Sequence, residues 1–431
     1  MTTRRDYFAF ARLFGSAITS QALLSATSLA IGLMLVRRTT DLQYGYFILA
    51  SGALILLASL QRAFFNPALA TRSARLDDAG RRALIGGLYR GQRRVAAVLC
   101  GAAGAGAAAL WFLGRLDSRT GPVVLVTVAA AGAVLNREYF RMVLLERRRA
   151  WDVLRADVVQ GVLLVGGVFL ATLLAAPAAG AMVATGVAAL VSGLYLARIL
   201  RQADPWDTRG EPGILRAIAP LAAWSTAGAA IHWTFSQGYA WLVAGTLDVT
   251  AVAAIAATRL TVMPVNLLSS GIGMLMLPLV ARWLHDHGPQ PVLRRLLALS
   301  LALAAASVCY LAAVWLARDW IFGSLLHKQF AQRDALLALW SVIFLVTVIR
   351  DQLIHFVAAR GLFRPLTWLA LASATLSLTI SYWTMPRVGP AGALVGLLLG
   401  ELVNLGGIMI LSYRESRHGF TPLHLAVPMN P

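Results

Sequence analysis

The chain has 431 residues, of which 58% are hydrophobic and only 13% charged, with a mean hydropathy of +0.70. A soluble protein of this length needs more charge than that to cover its surface, so a soluble globular fold is excluded. The net charge of +19 is arginine, Lys328 being the one lysine, and these arginines sit in short segments flanking apolar blocks. That is a membrane-topology signature and not a nucleic-acid-binding face.

The apolar blocks are about twenty residues long, enough to cross roughly 30 Å of hydrocarbon as helix, the conformation that satisfies backbone polar groups where water is absent. Read in chain order, they fall at 13–36, 42–65, 95–114, 121–144, 156–176, 178–197, 217–244, 251–281, 296–317, 335–358, 366–384 and 389–411. The predicted fold class is therefore an all-α integral membrane protein with about twelve transmembrane helices. The first block follows basic residues as a signal peptide would, but its apolar run is too long and has no clear small-x-small cleavage site, so it reads as span 1. Segment 62–94 carries eight arginines and is expected to be a long amphipathic loop on the anionic leaflet. Cys100 and Cys309 lie within spans, so no disulfide framework is implied. Between spans 7 and 8, Gly245-Thr246-Leu247-Asp248 is the one plausible turn. Segment 318–334 is too short for a folded catalytic domain.

Loop charges set the orientation. With a cytoplasmic N-terminus, cytoplasmic segments hold 27 basic residues and periplasmic segments 8, leaving Arg137, Arg259 and Arg350 inside the membrane. Both termini are thus expected in the cytoplasm.

The chain also reads as an internal duplication. Arg137, Glu138 and Arg147 recur as Arg350, Asp351 and Arg360 at an offset of 213, and Pro67 near the end of span 2 recurs as Pro278 at 211. Six spans followed by six of equal topology imply a parallel repeat, with lobes related by a pseudo-two-fold along the membrane normal. The expected layout is an N-terminal lobe 1–200, a cytoplasmic linker 201–215, a C-terminal lobe 216–413 and a cytoplasmic tail 414–431. Such repeats describe transporters whose lobes rock about a central substrate site.

Motifs narrow the class. Ser25-Ala26-Thr27-Ser28, then Arg37-Arg38-Thr39-Thr40-Asp41 and Tyr44-Gly45-Tyr46-Phe47, resemble the first two spans of the bacterial polysaccharide-transporter flippases. Those belong to the superfamily that also holds the multidrug and toxin extrusion antiporters and the lipid II flippases. Thr39-Thr40 stands where the family has a Leu-Gly-Pro-like turn. Gly389-Pro390-Ala391-Gly392-Ala393 and residues 253–259 extend the likeness, and the twelve-span layout carries it over essentially the whole chain. The resemblance implies translocation of an undecaprenyl-diphosphate-linked oligosaccharide across the bacterial inner membrane, for surface polysaccharide synthesis. It also implies membrane lipids, a polysaccharide polymerase and glycosyltransferases as partners, and no nucleic acid.

Charge supports that reading independently. A diphosphate bearing sugars needs a cationic passage, and arginine offers phosphate a rigid fork of donors. Ionised side chains at bilayer depth are costly and face an interior. Arg137, Arg259 and Arg350 are accordingly candidates for a substrate-binding lining, although Arg137 with Glu138 and Arg350 with Asp351 also read as local pairs that hold helices together. Glu138, Asp351, Glu401 and Asn266 are candidates for coupling ions or lining a cavity, with Asn404 one turn beyond Glu401. Asp157 reads as interfacial. His232, Gln237 and Asn266, with Pro264, read either as a broken helix beside a cavity or as satisfied interhelical bonds. Gly101, Gly104 and the glycines at 161–167 read as packing seams.

His285-Asp286-His287 supplies too few ligands for a metal site, no Walker A lysine motif is present, and no nucleophile–base set can be assembled, so neither an enzyme nor a cofactor is expected. The rivals are a multidrug or cation antiporter of the same superfamily, a sugar carrier of another twelve-span class, and a non-transporting scaffold of a polysaccharide synthesis complex.

Overall fold

The computed structural model describes residues 4–73, 76–203 and 213–417. Twelve long helices run through them: α1 (Arg4–Arg38), α2 (Asp41–Ser73), α3 (Asp78–Phe112), α4 (Thr120–Glu146), α5 (Ala150–Ala171), α6 (Pro177–Ala203), α7 (Ile214–Thr246), α8 (Val249–His287), α9 (Pro289–Leu316), α10 (Arg333–Ala359), α11 (Phe363–Val388) and α12 (Pro390–Arg417). Among the described residues there is no strand. Ten helices are long and apolar enough to cross a bilayer singly. The segments Ile214–Pro220 and Ala222–Thr246 of α7 qualify only as a pair bent by 68°. Pro220 lacks the N–H that would bond four residues back and its ring crowds that carbonyl, which accounts for the bend. α11 is not among the ten; it spaces buried Ser373, Ser377 and Ser381 along one face.

The turn between α7 and α8 lies where the sequence places it. Asp248 caps α8, its carboxylate accepting from the Ala251 amide at 2.6 Å and from the Thr250 hydroxyl at 2.7 Å.

Segment 62–94 is corrected. It is no loop: α2 continues to Ser73, α3 starts at Asp78, and Asp77 caps it by accepting from the Gly80 amide at 2.8 Å. The helices persist because Phe65 and Leu69 of α2 and Leu84, Ile85 and Leu88 of α3 bury themselves against Tyr139, Phe140 and Val143 of α4. At 1.5 Å per residue, helices of 33 and 35 residues are about 50 Å long, well beyond the roughly 30 Å of hydrocarbon.

By packing, the described residues divide into two compact units, one ending at Trp233 and the other beginning at Thr234 within α7. Of the expected linker, 204–212 lies outside the described residues, as does 418–431 of the expected tail.

Each unit has a core built from corresponding positions. In the first, Phe65, Leu69, Phe140, Val143 and Leu144 are buried together. In the second, Met276, Val280, Leu353, Phe356 and Val357 are, at offsets of 211 for the first two and 213 for the rest. The offsets read from a few charged residues thus recur among residues that pack together in each unit.

Candidate functional site

Among the described residues, the buried charged side chains within the helices fall into two clusters, one per unit, each centred on Arg137 or Arg350.

In the first unit α4 and α6 approach closely because their facing positions are small. A Cβ on Gly186 would stand 3.2 Å from the Ala130 Cα, and one on Gly193 would stand 3.3 Å from the Arg137 Cα. That approach brings Arg137 against Ser192, whose hydroxyl accepts from Nε at 3.0 Å. Nη1 donates to Glu138 at 2.6 Å, and Nη2 pairs with Asp157 of α5. Ser20 of α1 donates to the other Asp157 oxygen, which also lies 3.5 Å from Nε of Arg141. Glu138 in turn holds Arg62 of α2 at 3.0 Å, and Arg62 donates to Ser59 at 3.1 Å. The side chains of Arg137 and Asp157 are 5% and 0% exposed, whereas that of Arg62 is 40% exposed. Three guanidinium groups face two carboxylates, and the surplus charge emerges at Arg62.

In the second unit Arg350 of α10 pairs with Asp351 at 2.7 Å and with Glu401 of α12. Asn404 is buried one turn beyond Glu401. Here one guanidinium faces two carboxylates, so the balance is reversed. The acid that completes the clamp has also moved: Asp157 lies on α5, but Glu401 lies on α12, the counterpart of α6. At an offset of 213, Asp157 corresponds to Ala370 and Glu401 to Ala188.

Arg259 of α8 differs from both. Its Nη1 donates to Gln237 of α7 at 3.3 Å, and its guanidinium lies 5.4 Å from the Trp340 ring centre. Trp340 is itself fixed by an indole N–H bond to the Ile255 carbonyl at 3.0 Å and by the Tyr239 ring at 5.8 Å. Among the described residues no carboxylate pairs with Arg259, which is half-buried.

Several expectations change. Asp157, expected to be interfacial, is fully buried within the protein as a member of the first cluster, where it pairs with Arg137 of the neighbouring helix. Ser20 and Arg62 escaped sequence reading because they are distant in the chain and are brought in by α1 and α2, whereas Arg141 lies one turn after Arg137 on α4 and joins through Asp157 of α5. No break occurs at Pro264, where α8 is continuous; the bend is at Pro220. Asn266 lies within α8 and has a polar partner of its own. A Cβ on Gly101 would meet nothing within 4 Å, so Gly101 forms no seam, while one on Gly167 would stand 2.7 Å from Ala184. The tightest seam was missed. Gly392, Gly396 and Gly400 of α12 lie against α11, where a Cβ on Gly400 would stand 2.8 Å from the Ser377 Cβ and 2.9 Å from the Ser373 carbonyl.

Comparison with solved structures identifies the fold. The chain is similar to the inward-facing conformation of a multidrug resistance MATE family transporter of the MOP superfamily, with a TM-score of 0.72 at 15% identity, covering 92% of this chain and 94% of that one. It is also similar to the eukaryotic MATE transporter AtDTX14, with a TM-score of 0.64 at 14% identity, covering 96% of this chain and 98% of that one. A MATE transporter in the straight conformation gives a TM-score of 0.66 at 15% identity, covering 95% and 96%. No family model matches the chain, and no curated protein matches it. The fold is that of the MATE transporters, an all-α multi-pass membrane architecture with two lobes of six helices.

Proposed function

We propose that this protein is a flippase of the bacterial inner membrane, moving an oligosaccharide carried on undecaprenyl diphosphate between leaflets by alternating access, with both termini cytoplasmic. Arg259 carries the reading. A guanidinium inside a membrane helix that is held by an amide and an aromatic face, and by no carboxylate among the described residues, keeps its charge available to an incoming anion. In the first unit Arg62, partly exposed at the edge of its cluster, offers an anion a donor of its own. Arg137 and Arg350 have their donors engaged by carboxylates, so each positions the acids of its own cluster, Glu138 and Asp157 in one unit and Asp351 and Glu401 in the other. A polysaccharide polymerase and glycosyltransferases are the natural partners of such a step.

A second reading has an observation of its own. The surplus carboxylate of the Arg350–Asp351–Glu401 cluster fits cation or proton coupling, and the solved structures of this fold include a multidrug resistance transporter. The two readings separate in liposomes containing the purified protein. A flippase makes a fluorescent lipid-linked oligosaccharide accessible to quencher on the opposite face and leaves cationic dyes where they are. Dye exchange for protons or sodium without lipid translocation would replace it with the antiporter.

A further inference from the structure

The first unit has a groove at its arginine-rich end that belongs to neither cluster. It is an open groove of about 350 Å³ between the start of α5 and the end of α6, lined by Arg149, Asp152, Arg155, Tyr195, Ile199 and Gln202. Asp152 holds the two guanidinium groups in place, Arg149 at 2.6 Å and Arg155 at 3.9 Å, leaving the lining with one net positive charge. Arg155 also lies over the ring of Trp151 at 5.6 Å.

We infer that this groove binds the headgroup of an anionic phospholipid of the surrounding bilayer. Two features select a lipid over a soluble phosphate. Along α5, exposed Trp151 is followed on the same face by exposed Val158 and Val162, and along α6 exposed Tyr195 is preceded at four-residue steps by exposed Val191 and Val187. The groove is therefore the polar end of two apolar stripes on which acyl chains lie. Trp and Tyr at this level are residues of the membrane interface. Charge selects among lipids: a phosphodiester carrying one negative charge matches a lining with one net positive charge. The diphosphate carrier of the proposed transport reaction carries more. The site is thus a fixed lipid position, and it stands whether or not the transport reading holds.

The test is native mass spectrometry of the full-length protein released from detergent with graded phosphatidylglycerol, and with phosphatidylcholine for comparison. The unmodified protein should retain phosphatidylglycerol in preference to phosphatidylcholine, and R149Q/R155Q should weaken that retention by about fivefold for each arginine removed. R282Q, at an exposed arginine remote in sequence, should leave it unchanged. R155Q alone, altering a side chain that is 58% exposed, serves if the double variant fails to fold. Equal retention of phosphatidylglycerol by the arginine variants and the parent overturns the proposal. So does competition by glycerol phosphate at concentrations comparable with the lipid, which would make the groove a soluble-phosphate site.

Discussion

Removing the Arg137 side chain would take the closest cationic partner from Asp157, leaving it Ser20 and a more distant Arg141, and would leave Glu138 only the partly exposed Arg62. Breaking a buried pair this way costs about 3–5 kcal/mol, so Arg137→Ala should lower the amount of folded protein in the membrane along with any transport. Arg259→Ala leaves no carboxylate unpaired among the described residues, and its protein level should hold while translocation is lost. Arg259→Lys should recover part of the rate, since an ammonium keeps the charge but not the two-pronged donor geometry. Membrane abundance measured beside translocation distinguishes these outcomes. Full translocation by a well-expressed Arg259→Ala protein would take that residue out of the substrate path. At this scale sequence reading found the arginines, because charge at bilayer depth is conspicuous. It could not find Asp157 or Arg62 as their neighbours, because what joins them is the packing of α1, α2, α4 and α5.

At the scale of the element, the spacing of apolar blocks located all twelve helices and the turn at Asp248, since a bilayer enforces length and caps are local. The continuation of α2 and α3 beyond the hydrocarbon was hidden by their arginines, which mimic a surface loop while the opposite faces bury Leu69, Ile85 and Leu88. The α11–α12 seam depends on which serine faces which glycine, and single-helix patterns do not carry that. Gly400→Val would drive a side chain into the Ser373 carbonyl, which cannot turn aside. A loss of about 1–3 kcal/mol is expected, read as a lower melting temperature in detergent, with Gly101→Val as the neutral comparison. The Asp248 cap gives a pH-dependent test. Bonds from the Thr250 hydroxyl and from the Ala251 and Thr250 backbone hold its carboxyl below the usual carboxylate range. Its contribution is therefore complete above the unfolded value near 3.9 and is lost as pH falls through the lower folded value. Asp248→Ala should cost about 0.5–2 kcal/mol at neutral pH, and the melting difference from the parent should narrow below about pH 4.

For the whole molecule, topology and physiology are the tests. Reporters fused at Asp77 and Arg417 should report cytoplasm, and those near Asp117 and Arg333 periplasm; a periplasmic report from Arg417 would require an odd error in the span count. Deleting the gene should leave lipid-linked oligosaccharide on the cytoplasmic leaflet and remove a surface polysaccharide. Normal polysaccharide in a strain with no second flippase would count against the proposed substrate.

The clamp that holds the repeated arginine takes its distant acid from α5 in one unit and from α12, the counterpart of α6, in the other. If the two units are repeats, as the 213-residue offset suggests for α4 and α10, they meet the same electrostatic problem with acids at different positions, and each carries alanine at the position that the other uses. A genetic selection can exploit this. Revertants of Asp157→Ala should include acids at Ala188, one turn before Ser192, which already touches Arg137. Revertants of Glu401→Ala should include acids at Ala370 by the same correspondence. Such suppressors would show that the two positions are interchangeable as sources of the clamping acid, and their absence from both would mean that the surrounding helices leave no room for a carboxylate there.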